Sequence, residues 1–176
     1  MNAQHLKSIQ GPLKEKYQAD PGAALITLRA TGRALDGLSC KVETGRALVE
    51  AGLHPATGGD GTLACSGDML LEALVACAGV TLRAVATTIG VALEDAMVTA
   101  EGDLDVRGTL SAAQDVPVGF QRIRLHFELA TGASEEQLAT LIRLTERYCV
   151  VYQTLRQSPE TRVSRSVAPQ APRPAA

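Results

Sequence analysis

The chain has 176 residues, 45% of them hydrophobic and 20% charged, and a net charge of −2. That balance allows one ordinary core and supplies no basic surface, so nucleic acid is not an expected partner. Aromatic residues make up only 3% and tryptophan is absent, so the core has to come from Leu, Val, Ile and Ala at about 1.5–3 kcal/mol per large aliphatic side chain buried, which favours an added subunit interface.

The opening residues, Met1 to Tyr17, are polar and lack the apolar stretch of a secretory leader, which sets the expected location as cytoplasmic. Residues 1–20 read as an N-terminal arm with a short helix around Leu13 to Ala19, closed by Pro21-Gly22. Period-two alternation then marks two strands. Ala24, Ile26, Leu28 and Ala30 share one face of the first, and Leu38, Cys40 and Val42 share one face of the second. Thr44-Gly45 turns into a third strand, Arg46 to Ala51.

A glycine-rich loop from His54 to Gly67 leads into a long helix over about Asp68 to Ile89, with Ser66 expected as its N-cap and Gly90 as its stop. The apolar segment Met69 to Leu93 is interrupted by Glu72 and Arg83, so it reads as a buried helix and not a membrane span. Two strands follow. Val98, Ala100, Leu104 and Val106 oppose Thr99, Glu101, Asp103, Asp105 and Arg107 in the first. Ile123, Leu125, Phe127 and Leu129 oppose Arg122, Arg124, His126 and Glu128 in the second. Antiparallel pairing sets the acids of one against the arginines of the other and leaves one wet face and one covered face. Ser134-Glu-Glu-Gln137 is a capping box that opens a second helix. A helical turn after Cys149, a last strand near Thr161 to Ser166 and a proline-rich tail (residues 167–176, expected disordered) complete the chain. Strands, a long helix, more strands, a helix and a strand make an α+β order.

The chemistry on offer is sulfur. Cys40, Cys65, Cys77 and Cys149 in a leaderless chain are expected as reduced thiols. Cys77 shares a helical stripe with Leu70, Ala73, Leu74, Thr81 and Ala84; Cys149 shares one with Leu138, Leu141, Ile142 and Thr145. Either cysteine alone reads as a small core hydrophobe. Together, on two helices that could meet, they suit a redox pair: one thiolate attacks a peroxide and the second thiol condenses with the sulfenic acid. An apolar pocket suppresses the thiolate, so a cation is needed. Arg29, Arg33 and Arg46 on the N-terminal strands are the candidates; Arg83, six positions past Cys77 and about 220° around the helix, points elsewhere. Cys65 reads as an incidental loop thiol, Cys40 as core, and His54 as a loop histidine that could serve the pocket. No His/Cys spacing fits a metal, and Gly59-Asp-Gly61 lacks the βαβ setting of a dinucleotide loop, so no cofactor is expected.

Pro55-Ala-Thr-Gly58-Gly59-Asp60 leading into Met69-Leu-Leu-Glu-Ala-Leu-Val-Ala-Cys77, then Cys149-Val-Val-Tyr-Gln-Thr-Leu155, with Val116-Pro-Val-Gly-Phe-Gln-Arg-Ile123 between them, resembles the OsmC/Ohr family over residues 23–166. The resemblance implies an OsmC-like domain (residues 21–166) in an intertwined homodimer, its antiparallel sheets wrapped around central helices and its sites at the subunit interface. It implies thiol-dependent reduction of organic hydroperoxides in oxidative-stress defence. Cys77 would attack the peroxide, Cys149 would resolve it to a disulfide, and an external dithiol would regenerate the pair, without metal or nucleotide and with no membrane. The family's Glu ten residues before the reactive cysteine is Gly67 here, with Asp68 beside it as a substitute for orienting the activating arginine, Arg29 or Arg46. That departure keeps two other readings open: a non-catalytic redox-sensing or apolar-ligand-binding dimer, and a structural dimer whose cysteines only pack.

Overall fold

The computed structural model describes residues 3–35, 39–42 and 51–165; for 3–7, 10, 27–35 and 39–42 it describes the course of the backbone only. Arg46, most of the expected third strand and the proline-rich tail lie outside the described residues.

The N-terminal arm is a full helix, α1 (Ala3–Ala19), longer than the turn expected from Leu13 onward. Its Tyr17 is buried against Ala24, Val106 and Leu110, and the phenol donates to the Ala56 carbonyl at 2.8 Å. One aromatic contact with a satisfied hydroxyl thus docks the arm on the loop that precedes the long helix. A short 3₁₀ turn at Pro21–Ala24 then feeds the strands.

β1 (Leu25–Leu35) and β2 (Ser39–Val42) pair antiparallel. Ala51–Gly52 (β3) pairs parallel with Ala64–Cys65 (β4) in a minimal two-stranded ladder. The long helix α2 (Ser66–Ile89) follows directly, then β5 (Asp95–Asp105), a one-turn α3 (Val106–Thr109), β6 (Phe120–Ala130), α4 (Glu135–Tyr148) and α5 (Val150–Arg156). The main sheet runs β2-β1-β5-β6, antiparallel throughout. Over the described part of the expected last strand no ladder forms: residues 157–165 pair with no other strand and Val163 is fully exposed.

The sheet has the expected two faces. On one, Arg124 donates from Nε to Glu101 at 3.2 Å and from Nη2 to Asp103 at 2.9 Å. On the other, Val98 and Ala100 pack with Leu125 and Phe127 against Leu71, Leu74, Val75 and Ala78 of α2. A second cluster joins Leu82, Val85 and Ala86 of α2 to Leu141 of α4 and to Val91, Leu93 and Ala96. α2 is long and apolar enough to cross a membrane by length and composition, and it lies buried between sheet and helices along one side.

Three details differ from the sequence reading. Asp105 is buried, and it caps α3 by accepting from the Arg107 backbone N–H at 3.0 Å while its carboxylate grips the Arg107 guanidinium. The β1–β5 register runs unbroken through Asp105 and Leu104 still packs on the core, so the strand keeps its faces and Asp105 is buried as the cap of the following helical turn. Ser66 is the first helical residue of α2 and not its cap; Cys65 holds the cap position, with no side-chain hydrogen bond. The buried stripe of α2 is Leu71, Leu74, Val75, Ala78, Leu82 and Val85, one residue round from the expected one, with Leu70 and Ala73 exposed. Gly90 ends the helix in the left-handed conformation (φ 73°), as expected, and the capping box Ser134–Gln137 forms at α4.

Candidate functional site

The shift of the buried stripe decides where Cys77 sits. At about 100° per residue, Cys77 falls on the flank of the Leu74–Ala78 face, and its side chain is half-buried. Arg83 is turned away as expected: its Nη1 donates to the Leu93 carbonyl at 2.9 Å.

Cys149 is placed by a break in the helix. The sequence reading runs the second helix through Cys149; the structure ends α4 at Tyr148 and starts α5 at Val150, with Cys149 in an extended conformation (φ −71°, ψ 106°) at the joint. The residue closes α4 through its N–H to the Thr145 carbonyl at 2.9 Å and opens α5 by accepting at its own carbonyl from the Gln153 N–H at 2.9 Å. Its side chain is only 1% exposed, within the same cluster as Leu71, Leu74 and Ala78.

The two remote thiols therefore meet. Cys77 packs on the cluster that contains Cys149, and the two thiols are near enough for Cys77 to raise the Cys149 pKa. Both are free thiols. Burial pushes the Cys149 thiol up to about 11, and the neighbouring Cys77 adds to that rise. Backbone N–H groups of Tyr152 and Val151 at the start of α5 work in the opposite direction and are outweighed. Cys149 is thus the sulfur that keeps its proton, and Cys77 is the more exposed of the two.

A cavity of about 340 Å³, which neither cysteine lines, is bounded by Leu74, Phe120, Ile123, Leu125, Tyr152 and Leu155, with Arg122 and Arg156 among its polar lining. Leu74 is one helical turn before Cys77, and Tyr152 is one turn after Cys149. A second, more apolar cavity of about 390 Å³ is lined by Ile26, Leu53, His54, Cys65, Leu70 and Leu104, and again by Phe120.

Of the other expected site residues, only Asp68 has a described side chain. Asp68 stands in the first turn of α2; burial pushes its carboxyl up, and His54 nearby works the other way. His54 itself accepts from the Ala56 N–H at Nδ1 (3.0 Å), which fixes the ring over the start of its turn. Arg29 stands opposite Glu101 in the β1–β5 ladder, with only its backbone described. Arg46 lies outside the described residues, and Cys40 sits in β2 with its backbone alone described. Cys65, expected as an incidental loop thiol, lines the second cavity and packs against the core.

Sequence reasoning missed Phe120. By alternation with Ile123, Leu125 and Phe127 it belongs on the wet face. The bulge sets Asp103 opposite Arg122 and Leu104 opposite Phe120. Gln121 is then the extra residue, and Phe120 turns inward. No signal in the sequence announces that bulge.

The family model for OsmC-like protein matches residues 59–164. Two solved structures share the fold. An OsmC-like hydroperoxide resistance protein from Jannaschia sp. CCS1 is 18% identical, with a TM-score of 0.59 over 82% of this chain and 95% of that one. An OsmC-like protein from Mycoplasma pneumoniae is 16% identical, with a TM-score of 0.54 over 76% of this chain and 86% of that one. Among curated proteins none matches this sequence.

Proposed function

Because the chain belongs to the OsmC-like protein family, we propose that it is a thiol-dependent hydroperoxide reductase, working as a cytoplasmic homodimer on organic hydroperoxides. The observation that carries the reading is the approach of a half-exposed Cys77 in α2 to a buried Cys149 at the α4–α5 joint. A cavity lined by Leu74 and Tyr152, each one helical turn from one of the two cysteines, gives an organic peroxide somewhere to lie, with aliphatic and aromatic walls and two arginines at its polar side. The Jannaschia protein that shares this fold is described as a hydroperoxide resistance protein.

The chemistry runs in two steps. The Cys77 thiolate attacks the terminal oxygen of ROOH; the O–O bond breaks, the alkoxide takes a proton and leaves as ROH, and Cys77 becomes a sulfenic acid. The Cys149 thiolate then attacks the Cys77 sulfur; an S–S bond forms, and the hydroxide leaves as water after protonation. Two thiols have been oxidised and one peroxide reduced. An external dithiol returns the pair to its reduced state by thiol–disulfide exchange. Asp68, Arg29 and Arg46 are the proposed supports for the Cys77 thiolate, with Arg29 or Arg46 as its cation.

Gly67 in place of the family Glu favours a second reading, in which the pair records oxidation, or the cavity holds an apolar ligand, without turnover. Steady-state consumption of cumene hydroperoxide in the presence of a dithiol separates the two. Many turnovers per subunit, abolished in Cys77→Ser, support the reductase. A wild-type rate no higher than that of Cys77→Ser rejects it.

A further inference from the structure

Two cavities share one aromatic residue in their walls. Phe120 lines the cavity beside the thiol pair together with Leu74 and Tyr152, and it also lines the larger one that holds Cys65 and His54. Two separate features of the backbone fix that ring. The bulge at Gln121 turns Phe120 off the wet face and sets it opposite Leu104. Gly102, buried in the neighbouring strand, has no side chain where the ring lies: a Cβ there would come within 2.4 Å of Phe120 Cε1 and 2.6 Å of Cδ1. A bulge that re-aims a side chain, and a strand glycine that admits a close approach, each weaken a sheet locally. Both converge here on the same residue.

We propose that Phe120, seated on Gly102, is the partition that sets how long an apolar chain the thiol-side cavity accepts, and that the Cys65 cavity is the space such a chain enters when the ring is removed or displaced. This rests on the reductase reading for its substrate, an organic hydroperoxide with a straight apolar tail. The partition itself is a property of the two cavities and can be tested without turnover. With Phe120 in place, a chain gains from each methylene only until it meets the ring. Without it, the two volumes join, and each further methylene buried is worth a factor of about four in affinity or in kcat/KM.

The test uses the full-length wild-type protein, Phe120→Ala, Phe120→Leu and Gly102→Ala, each checked for cooperative unfolding. One arm measures binding of n-alkanols of increasing length by calorimetry. The other measures kcat/KM for the matching n-alkyl hydroperoxides. Wild type is expected to reach a plateau with length; Phe120→Ala is expected to move it by three or four carbons and to raise the long-to-short ratio at least tenfold. Phe120→Leu should fall between, and Gly102→Ala should change the ratio by displacing the ring. An unchanged plateau in both Phe120 variants overturns the partition. If only Phe120→Leu folds, its plateau alone decides. Absence of peroxide turnover in wild type, with the alkanol shift intact, rejects the reductase reading and leaves the partition standing.

Discussion

In the proposed mechanism the buried position of Cys149 sets the speed of the second step, and the direction and rough size of that effect can be worked out. Burial raises this thiol from an ordinary 9.0 to about 11. At pH 7 only about one molecule in 10⁴ then carries the Cys149 thiolate, against about one in 10² for an ordinary thiol of that reference value. A more basic thiolate is a better nucleophile, but with a Brønsted slope of about 0.4–0.5 that returns only a factor of roughly six to ten. The scarcity wins, and since part of the rise comes from Cys77 itself, disulfide closure should be slower at pH 7 than for an unshifted thiol by up to about tenfold. The sign is fixed by the direction of the shift: the reactive form grows as pH rises toward 11. The closure rate should therefore climb about tenfold per pH unit from 7 to 10. Once Cys77 is a sulfenic acid its charge no longer acts on Cys149, yet burial, the largest cause, remains. Single-turnover mixing with one equivalent of cumene hydroperoxide, quenched with acid and read by mass spectrometry of the Cys77–Cys149 peptide pair, measures this rate. A rate that stays flat between pH 7 and 10, or a disulfide that joins Cys77 to Cys65 instead, refutes the reasoning. In Cys149→Ser no closure is possible, and excess peroxide should drive Cys77 on to the sulfinic acid.

Two further outcomes test the scaffold. Asp105→Asn removes the charge that holds Arg107, whose Nε and Nη2 lie at 3.0 and 2.5 Å from the buried carboxylate, and should cost about 2–3 kcal/mol in urea unfolding at pH 7. Because the Arg107 hydrogen bonds hold the Asp105 carboxyl below the ordinary carboxylate range, its contribution is present above about pH 4 and fades as the pH falls through the folded value; the gap between wild type and variant should shrink in acid, and a gap that widens there would contradict the assignment. Leu141→Ala, at a fully buried position between α4 and the second half of α2, should lower stability by about 2–5 kcal/mol, seen as a lower urea midpoint at unchanged slope.

Local rules carried much of the fold. Alternation in β5 and β6 put Glu101 and Asp103 in reach of Arg124, and the capping box at Ser134 and the glycine at 90 marked helix ends, because these depend on neighbours a few residues apart. The same rules failed at Asp105, at Phe120 and after Pro159. A bulge reverses a strand's faces without changing its composition, as at Phe120; a following turn buries a polar strand residue, as at Asp105; and alternation by itself names no pairing partner.

The residues themselves determined an α+β chain with an aliphatic core, a long central helix and thiols as its reactive groups, since periodicity, capping and residue chemistry are written locally. Only packing in three dimensions decided that Cys77 lies on the flank of its helix, that Cys149 sits at the break between α4 and α5, and that the two thiols come together at one core cluster. Burial and contact are sums over residues distant in the chain, and a shift of one position around a helix, or one extra residue in a strand, changes which side chains take part.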